Sequence, residues 1–308
     1  MKSPHTTLFP PILLILLISS CSTSLDKART DLKKMNVAYD NNTFVNKAGV
    51  GDVEAVKLFL AAGIDPDVTN DEGETALVAA AKAGQRDVAI ILLVGGADIE
   101  GRDGKYDGTP LIWSALNGQT GTVDLLLSKG ADTTARENHN GMSALHAAAF
   151  KGHAAIISVL LDNGVDIEIR DKDGRTPLLW AARGGDVETV TVLLDRGANL
   201  EAVEEEYGQS ALMAASMMGN TEVDTLLLAR GAQIEKTDRD GKTPLMWAAQ
   251  YGRVETVELL LSRGAKTDAK DNKGRTAMWW TKKVRRNEAR KMTREVLRKA
   301  GVAAEENE

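Results

Sequence analysis

Apolar and polar positions change period along this chain, and the changes mark its parts. Residues 12 to 18 form an unbroken apolar run, whereas residues 22 to 42 carry few large apolar groups. From about residue 43 the apolar side chains return in short bursts at three- and four-residue spacing, each burst closed by glycine. The segment "DGRTPLLWAARGGDVETVTVLLDRGANLE", which begins at Asp173, contains two such bursts. Leu178, Ala181 and Ala182 mark a first short helix whose small side chains let neighbours approach closely. Val187, Val190, Leu193 and Leu194 fall on one face of a second. Thr176 is the expected N-cap of the first helix, and Pro177 occupies its first position, where a missing N–H costs nothing. Gly184 and Gly185 end that helix, Asp186 caps the next with its charge at the positive end of the dipole, and Gly197 stops it as a C′ residue. "DKDG" at 171 to 174 supplies turn chemistry into the unit.

The unit recurs. A Thr or Ser before a Pro/Ala-Leu pair stands at 75, 109, 143, 176, 210, 243 and 276, in steps of 34, 34, 33, 34, 33 and 33. A second marker keeps the same register: Gly51, Gly84, Gly118, Gly152, Gly185, Gly219 and Gly252. Such a period signifies a stacked array. In period and in its T-P-L-H-x-A signature the array resembles the ankyrin repeat, over roughly 43 to 301. The resemblance implies an all-α fold: an ankyrin-repeat solenoid of paired antiparallel helices with β-turn or hairpin tips, about seven repeats long. Residues 273–301 would be its basic C-terminal cap and 302–308 an acidic tail. The signature histidine is present only as His146. Elsewhere the position holds Val78, Ile112, Leu179, Met213, Met246 or Trp279, so the family's histidine bonds between neighbouring turns are expected to be fewer here.

A double period lies over the single one. Trp113, Trp180 and Trp247 are 67 residues apart, with Ala147 and Ala214 in the intervening units. The simplest reading is a packing ridge in which a large Trp opposes a small Ala, and the alternative is a stacking platform for a ligand.

Catalysis finds no support in the motifs. Ser143 is a cap and His146 the family's structural histidine, with no third group to complete a triad. There is no G-x-S-x-G, no H-E-x-x-H and no cysteine pair, so neither a catalytic residue nor a metal or cofactor site is expected. "GRDGKYDG" at 101 to 108 is glycine-rich but follows a loop, which argues against phosphate binding. Solenoids bind partners on an extended surface of inner helices and turn tips. In the ankyrin family the two residues before the helix-turn glycine and the residue before T-P-L commonly contact the partner. Carried over, these are Leu116/Asn117, Phe150/Lys151, Met217/Met218 and Gln250/Tyr251, then Met142, Arg175, Gln209 and Lys242. Phe150, Met217, Met218 and Tyr251 stand out, because apolar and aromatic anchors dominate interface energies.

Composition narrows the class. A net charge of −6 spread over both signs argues against a surface shaped for nucleic acid. One cysteine permits no internal disulfide. The exception to the acidic balance is the segment 281–301, with nine Lys/Arg against Glu288 and Glu295. It reads as a solvated cap, or else as a surface for an anionic membrane or partner.

The apolar run 12–18 would rise only about 10 Å as a helix, far short of a bilayer. Behind a basic start and ahead of small residues, it reads as an export signal over 1–20. Ile18-Ser19-Ser20-Cys21 resembles the bacterial lipobox, which implies a lipidated Cys21 and an acyl-chain anchor in the bilayer. Ser22 in place of aspartate implies the outer membrane, facing the periplasm or the surface. Residues 21–42 would then be a polar tether reaching about 65 Å when extended, with room for a short helix around Asp26 to Lys34 that would have little to pack on. The expected function is an envelope-anchored protein-binding module of scaffold, inhibitor or immunity type. The alternatives are a secreted or host-directed effector and polyanion or membrane binding through the C-terminal helix.

Overall fold

In the computed structural model, residues 24–285 and 287–301 are described. The apolar leader, Cys21 and the acidic tail lie outside them. The chain divides into two compact units, one ending at Lys105 and the other beginning at Tyr106.

The first unit holds α1 (24–34), α2 (Asn41–Val50), α3 (Val53–Ala61), α4 (Ala76–Ala83) and α5 (Arg86–Val94). α2 packs on α4 and α3 on α5, as two stacked helix pairs. α1 covers the stretch of the short helix expected to have little to pack on, and it is packed. Ala28 and Leu32, four residues apart and thus on one face, are buried. Tyr39 stacks on Phe59 with ring centroids 5.5 Å apart and donates to the Ala62 carbonyl at 3.0 Å. Arg29 lies 4.8 Å from the Tyr39 ring. A polar stretch with two apolar side chains in register is enough to dock one helix.

The second unit alternates inner and outer helices. The inner ones are α6 (Pro110–Leu116), α8 (Ala144–Lys151), α10 (Pro177–Gly184), α12 (Ala211–Met218), α14 (Pro244–Tyr251) and α16 (Ala277–Trp280). The outer ones are α7 (Thr120–Ser128), α9 (Ala154–Asp162), α11 (Val187–Asp195), α13 (Thr221–Ala229), α15 (Val254–Ser262) and α17 (Asn287–Lys299). Each inner helix packs on the next inner helix and each outer on the next outer. Among the described residues there is no strand, only isolated bridges at Thr69–Thr75 and Val203–Ser210 in the tips.

Local chemistry sets the boundaries. The hydroxyls of Thr109, Ser210 and Thr243 accept the N–H three residues on, at 3.3, 3.4 and 3.4 Å. The Asp186 carboxylate caps α11 through the Thr189 N–H at 2.7 Å. Inner helices are buried almost all round; in α12 every residue from Ala211 to Met217 is buried. Alanine makes that closeness possible. At Gly184 even a methyl group is too much, since a Cβ there would stand 2.3 Å from the Phe150 carbonyl oxygen. Outer helices bury one stripe, such as Val190 and Leu193.

Among the buried polar groups, two titratable side chains on the helices are strongly shifted by burial. His146 is fully buried, takes the Ser143 N–H at 3.2 Å on Nδ1 and donates from Nε2 to the Arg175 carbonyl at 3.0 Å. Burial drives its pKa down to about 4, and the Arg175 carbonyl opposes that shift. Asp224 occupies the helix position held by Val190 and Val257 in the neighbouring outer helices and is equally buried. The Ser216 hydroxyl donates to its Oδ1 at 3.0 Å, while no ion pair reaches it among the described residues and Oδ2 has no hydrogen-bond partner. Burial raises its pKa to about 7, with the Ser216 and Thr256 hydroxyls opposing.

Between its ordinary 3.8 and about 7, folded Asp224 holds a proton that the unfolded chain has released, so stability falls as pH rises through that window. His146 acts in reverse: between about 4 and 6.5 only the unfolded chain takes up its proton, so stability falls as pH drops. In urea unfolding, Asp224→Val therefore gains on the wild type as pH rises. The difference is flat below about pH 4, grows by about 4 kcal/mol up to pH 7 and levels off above it. A pH-independent difference would mean that Asp224 is not titrating in the folded core. Gly184→Ala, which in an open helix would stabilise by about 1 kcal/mol, should instead destabilise by about 1–3 kcal/mol in the same assay.

Candidate interaction surface

From α8 onward, each inner helix of the second unit is preceded by a loop gathered by one carboxylate. Asp171 Oδ1 accepts the N–H groups of Asp173 and Arg175 at 2.9 and 2.8 Å. Asp238 does the same for Asp240 and Lys242, and Asp271 for Lys273 and Arg275. The second oxygen of each accepts an indole N–H: Trp180 at 2.9 Å, Trp247 at 3.0 Å and Trp280 at 3.1 Å. The alternate loops use glutamate. Glu137 Oε1 takes the N–H groups of Asn140 and Met142 at 2.7 and 2.9 Å, and Glu204 Oε1 those of Tyr207 and Gln209 at 2.7 and 3.0 Å. These loops are one residue longer, which the extra methylene spans, and Ala147 or Ala214 follows where Trp would stand. The rule couples aspartate to tryptophan rather than to odd or even repeats. Trp280, at the place where alternation would put alanine, comes with Asp271 and the shorter loop.

Loop tips are also stitched to one another. The N–H groups of Asn138, Lys172, Glu205, Arg239 and Asn272 donate to the carbonyls of Tyr106, Asn140, Asp173, Tyr207 and Asp240. Cations close over the indoles. Arg175 lies 5.4 Å and Arg183 5.7 Å from the Trp180 ring, and Lys242 sits between Trp247 and Trp280 at 4.3 and 4.0 Å. Burial holds the Lys242 ammonium below the usual lysine range, and the Asp238 carboxylate opposes that shift.

The residues expected to meet a partner fall into three groups. Trp180 and Trp247 are 7% exposed, and Met142, Met217 and Lys242 are buried too. Their side chains are committed within the fold: Met217 packs with Met213 against Trp247. Phe150, Arg175, Leu116 and Trp113 are half-buried, with Phe150 edge-on to Trp180 at 5.3 Å and Lys151 over it at 5.4 Å. Met218 and Tyr251 are exposed, at 40% and 45%, and Tyr251 stacks on Trp247 at 6.1 Å. Met217, expected to contact a partner, is buried instead. It precedes Met218 by one residue, and a 100° turn of the helix carries it onto the Trp247 ring instead of into water.

Trp113, Leu116 and Met142 converge on one apolar cleft of about 320 Å³, together with Tyr106, His139 and Ala147. Tyr106 meets Trp113 edge-on at 5.8 Å. Sequence reasoning missed Tyr106 and His139. The signal available was their position in the longer loops, 33 residues apart and so close to the repeat period.

If the ridge is structural, Trp180→Phe leaves Asp171 Oδ2 without its indole donor and costs about 1–3 kcal/mol in thermal or urea unfolding. Met218→Ala, at an exposed position, should stay within about 0.5 kcal/mol. Equal small effects would mean that the indole–carboxylate bond contributes nothing to the loop.

Comparison with known proteins agrees with this geometry. The family model "Ankyrin repeats (3 copies)" matches at residues 45–137, 134–204 and 200–271. Among solved structures, the crystal structure of the human ASB11 ankyrin repeat domain is similar at 28% identity and a TM-score of 0.64, covering 72% of this chain and 98% of that one. No curated protein sequence matches significantly. The family's fold serves in general as a scaffold for protein–protein binding. With the repeat markers in register, stacked helix pairs throughout and a family model spanning most of its length, the chain belongs to the ankyrin-repeat family.

Proposed function

We propose that this chain is a non-catalytic protein-binding module held at a bacterial cell envelope by an acylated Cys21, where it serves as a scaffold, inhibitor or immunity-type partner. The observation that carries the binding part is a set of apolar groups at the ends of neighbouring inner helices: Met218 and Tyr251, both exposed and both directly before the helix-turn glycine of α12 and α14, and half-buried Phe150, one position earlier in its own repeat at the end of α8. Such groups stay in water only at a cost, and the recurrence of Met218 and Tyr251 at equivalent positions, with Phe150 beside that row, suits a surface covered by a partner. Support for the anchor is the sequence ILLILLISSC, with the lone cysteine directly behind an apolar run too short to cross a bilayer.

Two measurements test the reading. With a photo-crosslinking residue at 218, the chain should give a discrete protein adduct in cells, and Phe150→Ala/Tyr251→Ala should abolish it. The same probe at exposed Glu188 on α11 should give none. Equal adducts from both positions would refute the assigned surface. Labelling with a radioactive fatty acid should mark the wild type and not Cys21→Ala, with the label in an envelope fraction. An unlabelled wild type would turn the proposal toward a secreted or host-directed effector.

A further inference from the structure

At the C-terminal end of the second unit a cleft of about 580 Å³ opens between the end of α14 and the segment leading into α17. We propose that this cleft binds an acidic peptide segment of the partner, which rests on the protein-binding reading above and adds the chemistry of what is bound. Arg253, Lys283 and Arg285 line it with Tyr251, Val284 and Ala289, and no carboxylate does. On a chain whose net charge is −6, three cations converging on one recess make a local field that selects anions.

The walls are built, not incidental. Gly252 brings the backbone so close that a Cβ there would lie 2.8 Å from Val284 Cγ1 and 3.2 Å from Ala289 Cβ. The Arg253 stem is fixed by its Nε, which donates to the Met217 carbonyl at 3.0 Å. Lys283 lies 5.6 Å from the Trp279 ring, and exposed Arg285 makes no ion pair among the described residues. Tyr251 gives the recess an aromatic wall that Trp247 holds in place. The volume is that of a ligand pocket rather than a flat patch. Val284 and Ala289 give it apolar lining where a peptide could seat an apolar side chain beside its carboxylates. A membrane headgroup layer would instead meet the outward cations of α17, Lys291 and Arg298, which are exposed and lie outside the cleft.

The test uses the full chain and a fluorescein-labelled decapeptide of alternating glutamate and leucine, followed by anisotropy at physiological salt. Saturable binding is expected, with none for the lysine–leucine counterpart. Lys283→Glu/Arg285→Glu should weaken it by about tenfold or more, with helical content checked by circular dichroism. Lys291→Glu/Arg298→Glu should change it less than about twofold. Three results would overturn the proposal: no saturable binding, equal weakening by the two charge-reversal pairs, or binding to phosphatidylglycerol vesicles through Lys283 and Arg285 without binding to the peptide. Phe150→Ala/Met218→Ala should leave peptide binding unchanged. If Phe150→Ala/Tyr251→Ala abolishes crosslinking from position 218 while the peptide never binds, the module reading stands and the cleft assignment falls. Peptide binding without any crosslinked adduct would be the reverse case.

Discussion

The second unit depends on a carboxylate at the head of each loop. A turn that reverses the chain leaves several backbone N–H groups pointing inward with no carbonyl to receive them, and buried donors without partners are costly. Asp171, Asp238 and Asp271 each take two of those donors on one oxygen. The loop then has one shape, the hydroxyl cap that follows it is placed, and the inner helix starts where the neighbouring inner helix requires. In the loops before α8 and α12, Glu137 and Glu204 do the same across one more residue with one more methylene.

From that constraint the double period follows. An aspartate that spends one oxygen on the loop has a second pointing at the inner helix, and a tryptophan N–H satisfies it. In the intervening units the same position holds Ala147 or Ala214, but at the end of the array Trp280 follows Trp247 directly, with Lys242 between the two rings. The cations before the T-P-L segment lie over the rings, so Arg175 and Lys242 serve the loop they belong to. Residues that the family uses against partners are here largely drawn inward. The surface left for recognition is therefore narrower: Met218, Tyr251, part of Phe150, the apolar cleft at Trp113, and the basic recess beside α17.

Burial of an acid at Asp224 stands apart from this economy. The equivalent valines show that the position needs no polar group, and Ser216 satisfies only one of its oxygens. Its opposite number is His146, which is bonded on both ring nitrogens between adjacent loops. One buried titratable group thus ties two repeats together, and the other loosens the core when it ionises.

The sequence by itself determined the repeat, its register, the helix pair within each unit and the hydroxyl or carboxylate caps of helices such as α10 and α11. Those properties rest on interactions within about four residues, such as Thr176 with Leu179 or Asp186 with Thr189, and local spacing is visible in a string of letters. It also separated the Trp-bearing units from the Ala-bearing ones, though without the reason. Only the tertiary structure decided which side chains face out. Met217 and Met218 are adjacent and chemically alike, yet the Trp247 ring, 29 residues on, takes the first and leaves the second in water. The tether became α1 because Ala28 and Leu32 found a surface that no local pattern announces. The basic cleft, too, joins Tyr251 and Arg253 to Lys283 and Arg285 across 30 residues of chain. Exposure and convergence are properties of contacts between distant segments, and spacing along the chain does not encode them one residue at a time.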